Sequence, residues 1–206
     1  MKLLKNILIL LLFLPGTVSL FAQNEWVFKK EKDGIKIYTR HGEHSKFNDL
    51  KVELDLRGTI SQLSSILLDV EKYPQWFYAT KTGILIKRIG NNEIIYYSEI
   101  ETPWPLDNRD YYGDLKITTD SISRSLTATC TGIREYLPEK KDLVRIPMSK
   151  TTWYVSTTAD KVMHLVFFIE LDPGGTVPAW IFNLFATKGP FETFKNLKQK
   201  MWLLNR

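Results

Sequence analysis

Side chains able to do chemistry are sparse along this chain, and the few that cluster are informative through their spacing. Glu99 and Glu101 lie two apart in a stretch rich in Ile and Tyr. On a strand they share a face, which gives them the makings of a general acid and base. The blander account is two carboxylates at a wet sheet edge. His41 and His44 flank Gly42-Glu43, but a zinc-protease helix spaces its histidines four apart, and this polar segment reads as a solvated turn. His164 sits in an apolar run and reads as a sheet histidine with a satisfied ring. There is no Gly-x-Ser-x-Gly elbow and no glycine-rich phosphate loop. Cys130 is the only cysteine, which excludes an internal disulfide and a cysteine zinc site. Neither a metal nor a cofactor is expected.

Arg109 carries the sharpest implication. On a strand, Arg109, Tyr111, Gly113, Leu115 and Ile117 share one face, and Asp110, Tyr112, Asp114 and Lys116 share the other. Leu115 and Ile117 mark the first face as the inner one, and the second reads as solvated. A guanidinium in an apolar enclosure is costly unless it is paired or hydrogen-bonded. It either orients the polar group of an apolar ligand, directly or through water, or forms an ion pair with Glu99 or Glu101 on the neighbouring strand. Tyr96, Tyr111, Trp180, Phe191 and Phe194 supply aromatic area for a core or for the wall of a cavity, and a buried phenol or indole needs a polar partner. Tyr73, Trp76, Phe77 and Tyr78 crowd a proline-containing bend that serves as a rim or as packing under a sheet.

These residues need elements to hold them. Lys51–Arg57 alternates Val52, Leu54 and Leu56 against charged neighbours, the signature of an antiparallel strand with one wet face. Gly34–Arg40 does the same, and Trp26–Lys32 reads as a short helical turn. Thr59–Val70 switches to a helical period with Thr59 as its cap. Strands are expected at 83–89, 93–101, 109–118, 125–133, 142–156 and 161–171. Asp172-Pro173-Gly174-Gly175 ends the last of these. Pro178 then opens a C-terminal helix on which Trp180, Leu184, Phe191, Phe194 and Met201 fall within one arc. Gly189-Pro190 should kink or loosen it between Pro178–Ala186 and Phe191–Leu204, a hinge that would let the helix act as a movable wall. Strands, a helix, many strands and a final helix make this an α+β chain with an antiparallel sheet.

Residues 1–22 read as a signal peptide: Lys2 and Lys5, an apolar core Ile7–Leu14, and Ala22 as a cleavage residue. The apolar run is broken by Pro15-Gly16, short of the roughly 20 residues a membrane span needs. Export, in the simplest case to a periplasm, follows. Removing the segment takes two lysines from a formal net charge of +5, so the remaining domain, 23–206, is mildly basic. It lacks the long basic block of a nucleic-acid binder but has some attraction for an anionic membrane surface.

Three motifs tie these features together: Pro-Trp-Pro-Leu-x-Asn-Arg-Asp at 103–110, Pro-Gly-Gly-x-x-Pro-x-Trp at 173–180, and Gly-Pro-Phe-Glu-Thr-Phe-Lys-Asn-Leu at 189–197. With them the chain resembles the StAR-related lipid-transfer (START) family. The resemblance implies a helix-grip fold, in which a curved antiparallel β-sheet wraps a long C-terminal α-helix around a lipid-sized tunnel. It also implies a lipid ligand, a transient membrane surface as partner, a single chain acting as a monomer, and no catalysis. Arg109, Tyr111, Tyr96, Trp180, Leu184, Phe191 and Phe194 are then the expected lipid-binding residues. The alternative is an enzyme, a cyclase or hydrolase, on the same scaffold using Glu99, Glu101 or Tyr111.

Overall fold

The structure is a computed structural model that describes residues 25–104, 106–185 and 187–205, and of Leu184 and Phe185 only the backbone. The expected signal peptide, 1–22, lies outside the described residues. Ten strands form one sheet in the order β1-β2-β3-β10-β9-β7-β6-β5-β4, with the short β8 beside β6. They are β1 (Val27–Lys32), β2 (Ile35–His41), β3 (Asn48–Arg57), β4 (Thr80–Arg88), β5 (Glu93–Ile100), β6 (Arg109–Asp120), β7 (Ser125–Gly132), β8 (Val144–Arg145), β9 (Met148–Ala159) and β10 (Val162–Asp172). Neighbours run antiparallel except β6 and β8. The crossover from β3 to β4 holds helix α1 (Ile60–Leu68) and a 3-10 helix (Val70–Gln75), and the chain ends in α2 (Ala179–Phe185) and α3 (Lys188–Leu204).

Local chemistry accounts for the elements. On β3, Val52, Leu54 and Leu56 are buried while Lys51, Glu53, Asp55 and Arg57 face outward. Thr59 closes a capping box on α1: its hydroxyl accepts from the Gln62 N–H at 3.2 Å, and the Gln62 side chain returns to the Thr59 N–H at 2.9 Å. The expected helical turn at Trp26–Lys32 is instead strand β1, because five of its residues pair with β2. The expected strand over 142–156 is two strands, interrupted at Ile146-Pro147.

The C-terminal helix is also divided. α2 stops at Phe185, Thr187 is the N-cap of α3, and Pro190 lies in the first turn of α3 rather than at a mid-helix kink. There its missing N–H has no intrahelical partner to lose. The break thus falls before Gly189-Pro190. It also ends the single arc expected from Trp180 to Met201, because a periodicity cannot be carried across an interrupted helix.

The inner face of the sheet grips α3. Trp153, Phe167 and Phe194 meet ring to ring at 4.8–5.3 Å. Leu197 and Met201 are buried beside them with Leu54, Leu56, Met163 and Leu165. The 3-10 helix adds Tyr73 and Trp76, and Tyr73 contacts Tyr96 of β5 at 5.6 Å.

Candidate functional site

The inner face changes character along its length. On β6, Leu115 and Ile117 are buried, whereas Tyr111, on the same face, keeps accessible surface. On β10, Met163, Leu165 and Phe167 are buried and Ile169 is half-buried. Antiparallel pairing brings the start of β6, the ends of β5 and β10 and the start of β9 to the same end of the sheet. That end is roofed by the loop between β5 and β6, the turn after β10, and α2. α2 is held to the start of β3 by the Phe47–Phe182 ring pair at 4.9 Å and by the Asn48 N–H donating to Asn183 Oδ1 at 3.1 Å.

Arg109 sits beneath this roof with 4% exposure. Its Nη1 donates to the Asp107 carbonyl, closely, and to Thr102 Oγ1 at 3.4 Å, while Nε donates to the Pro173 carbonyl at 3.4 Å. Two of the three sequence motifs therefore converge on one guanidinium. Gly174 and Gly175, both at positive φ (68° and 67°), form the turn that folds against it. The expected ion pair with Glu99 or Glu101 does not form. Glu99 stands opposite Asp110 and is bound by Lys81 at 2.9 Å, while Glu101 lies past the end of β5 and is exposed. The two carboxylates do not make an acid–base pair, since strand alternation ends at Ile100. Among the described residues no carboxylate comes within ion-pair distance of Arg109. Burial pushes its guanidinium down from the ordinary value, opposed by the more distant charge of Asp107.

Two residues further along the same face of β6 begins a phenol pair. Tyr111 and Tyr96 share a hydroxyl–hydroxyl bond at 2.7 Å, and Tyr96 reaches Cys130 Sγ at 3.4 Å. Gly113 makes room for this: a Cβ there would fall 2.7 Å from Cys130 Sγ and 2.8 Å from the Tyr96 ring. Burial raises Tyr96 and Tyr111 far above ordinary phenols and pushes the Cys130 thiol up to about 12. For all three, burial favours the neutral, protonated form. Deeper in, the Trp76 indole N–H is buried without a hydrogen-bond partner among the described residues.

Of the expected binding residues, Tyr111 and Tyr96 bond each other, and Arg109 lies two residues before Tyr111 on the same face of β6. Phe191 and Phe194 are buried on α3, where Phe194 belongs to the closed half of the core. Trp180 is corrected: at 70% exposure it points away from the interior. The side chain of Leu184 lies outside the described residues.

A second correction concerns the outer face of β6. Asp110 and Tyr112 are buried there, covered by the segment 133–147. Arg145 grips Asp110 with two bonds, at 2.8 and 3.1 Å, and donates to the carbonyls of Arg134 and Leu137. Its guanidinium also lies 4.9 Å from the Tyr112 ring centre. The Asp110 partner raises Arg145 above its ordinary value. Strand alternation indicates which face a residue takes but not what later chain covers that face.

Comparison with known proteins agrees with this architecture. The START domain model matches residues 20–204. A Pseudomonas aeruginosa protein described as uncharacterized is 27% identical over 188 residues, covering 89% of this chain and 90% of that one. The mouse phosphatidylcholine transfer protein is 26% identical over 171 residues, 80% of this chain and 78% of its own length. Among solved structures, a fragment of a STAR-related lipid transfer protein from Xanthomonas axonopodis superposes with a TM-score of 0.79 at 27% identity, covering 85% of this chain and 98% of that one. Human StAR-related lipid transfer protein 5 shares the fold with a TM-score of 0.76 at 15% identity. With a family model spanning nearly all of its length and a helix-grip fold to match, this chain belongs to the START domain family.

Proposed function

We propose that the protein binds a hydrophobic lipid between the sheet and its C-terminal helices, shields it from water and passes it between membranes without covalent chemistry. The observation that carries this reading is the gradient of burial along the inner face, from a closed aromatic core around Phe194 to partly accessible Tyr111 and Ile169 beneath the roof. A chain needing only a core would close that end as tightly as the other. Lipid-transfer relatives of similar length support the same reading.

The roof has the composition of a membrane-contacting surface. Trp104 is 92% exposed in the loop between β5 and β6, and Trp180 opens α2. The bonds of Arg109 to Thr102, Asp107 and Pro173 gather the two loops at one end of the molecule. Indoles favour the boundary between headgroups and acyl chains, so this end would dock transiently while lipid moves past α2. Moving an acyl chain between two apolar surroundings has little intrinsic free-energy gap, and the protein lowers the barrier of the aqueous crossing. The test is saturable binding of a fluorescent lipid at one site per chain, followed by transfer between donor and acceptor vesicles. Binding and transfer are both expected; no saturable binding at micromolar protein would sink the reading.

A further inference from the structure

We propose that a cleft on the outer face of the sheet is a second binding site, which takes a zwitterion of amino-acid size with an aromatic side chain, its ammonium at Glu170 and its carboxylate at Lys150. Such a site would stand whether or not the interior carries lipid.

The cleft has a volume of about 250 Å³ and is walled by Trp26, Phe168 and Tyr154. Phe168 lies 5.6 Å from the Trp26 ring and 6.0 Å from the Tyr154 ring, so it links the other two. Sites for drug-sized ligands run from about 300 Å³ upward, and this one suits something smaller. Four charged side chains line it in a row across four strands. Arg40 of β2 stands opposite Asp49 of β3, and Lys150 of β9 stands opposite Glu170 of β10. One step past the Ile169–Leu50 pair, Glu170 and Asp49 come side by side.

The middle two of the row are both carboxylates, an unfavourable pairing unless each is compensated. Asp49 is compensated: buried at 3% exposure, it accepts from Arg40 Nε at 3.0 Å, and Arg40 in turn stacks 4.7 Å from the Trp26 ring centre. Burial holds Asp49 above the ordinary carboxylate value against the pull of Arg40, and the charge of Glu170 pushes it the same way. Glu170 has no such partner. Among the described residues neither Glu170 nor Lys150 makes an ion pair, although they face each other in register. Two opposite charges therefore border one aromatic cleft without neutralising each other. A ligand carrying one charge of each sign completes both with charge-assisted bonds, and an aromatic side chain covers the rings. A simple cation would leave Lys150 unanswered and a simple anion would leave Glu170, so the row selects a zwitterion.

L-Phenylalanine is the probe, with binding read by equilibrium dialysis on the full chain. Saturable binding at one site per chain is expected. Phenethylamine, which lacks the carboxylate, and 3-phenylpropionate, which lacks the ammonium, should each bind about tenfold more weakly, the worth of one charge-assisted contact. Glycine keeps both charges but leaves the rings uncovered, and should also lose about tenfold or more. Glu170→Gln should weaken phenylalanine about tenfold and leave 3-phenylpropionate unchanged. Lys150→Gln should weaken phenylalanine equally and leave phenethylamine unchanged. Neither side chain has an ion-pair partner among the described residues, so thermal unfolding of both variants should stay near wild type. Gly-Gly-Phe carries its ammonium far from the ring and should bind as weakly as 3-phenylpropionate. Were it to match phenylalanine, the cleft would read a peptide's terminal carboxylate alone, and the role of Glu170 would be overturned. Displacement of phenylalanine by a fluorescent lipid would put the amino acid in the interior and overturn the outer site. No saturable binding of phenylalanine at millimolar concentration would overturn it too, while leaving lipid binding untouched.

Discussion

Arg109 and Arg145 are two buried guanidiniums separated by one register step of the same sheet and by its thickness. On the outer face, Arg145 has its carboxylate, three carbonyls within reach and an aromatic ring beneath it. Its task is complete within the fold: it fastens the segment 133–147 to β6. On the inner face, Arg109 holds two loops through neutral acceptors and is left with its charge. The difference separates a cation whose charge a carboxylate of the fold neutralises from one that, among the described residues, has only neutral acceptors. It also divides the molecule into a closed half and an open half.

The largest effect should come from breaking the closed arginine. Arg145→Met leaves Asp110 buried and unpaired, a loss that typically costs about 3–5 kcal/mol. Urea denaturation should show that loss, and the double variant Asp110→Asn with Arg145→Met should cost less than the two single changes added together. Arg109→Met removes a charge that has no opposite partner among the described residues, so it should cost clearly less than Arg145→Met. Equal losses at the two sites would erase the distinction between them.

Next in size is the response to alkali, which probes how the open half treats a negative charge of the chain's own. Burial pushes the Cys130 thiol from about 9.0 up to about 12. Between those values the unfolded chain releases a proton that the native chain keeps, so stability falls as pH rises, by about 1.4 kcal/mol per pH unit. Tyr73, Tyr96 and Tyr111, raised chiefly by burial, add to the same fall at higher pH. Urea unfolding across this range should give a shallower decline for Cys130→Ala than for wild type. Parallel declines would mean that the thiol ionises in the native state and that this interior is wetter than its burial implies.

Much of this arrangement was readable from residue pattern, and the failures are instructive. The alternation of β3, the cap at Thr59, and the inner face of β6 from Leu115 and Ile117 follow from short-range periodicity, which local sterics enforce. Asp110 was misread as solvated because its cover is Arg145, 35 residues further on in a polar segment. No local period encodes a partner at that distance. Trp180 was misread for the opposite reason. A helical wheel carried across the interruption at Thr187 assigns a phase that the chain does not keep. The motif at 103–110 pointed to Arg109, but only the coordinates show that its partners are Thr102, Asp107 and Pro173 rather than Glu99 or Glu101.

The smallest effect on stability should accompany the clearest effect on membrane contact. Trp76 and Trp153 serve the closed half and are almost wholly buried, whereas Trp104 and Trp180 stand in solvent at the open end. An exposed indole contributes little to folding, so Trp104→Ala with Trp180→Ala should shift unfolding by no more than about 0.5 kcal/mol. Each indole would instead gain free energy by entering the headgroup boundary. Co-sedimentation with phosphatidylcholine vesicles should therefore fall about tenfold in the double variant, a change of roughly 1.4 kcal/mol, while lipid already loaded stays bound. The transfer rate should fall with docking, because lipid that cannot pass directly between bilayer and interior must cross water. A double variant that docks and transfers like wild type would move the portal away from this roof. The rim at Trp76–Tyr78 would then be the next place to look: the Tyr78 N–H donates to Thr193 on α3 at 3.1 Å, so that bend, rather than α2, would be the element that opens.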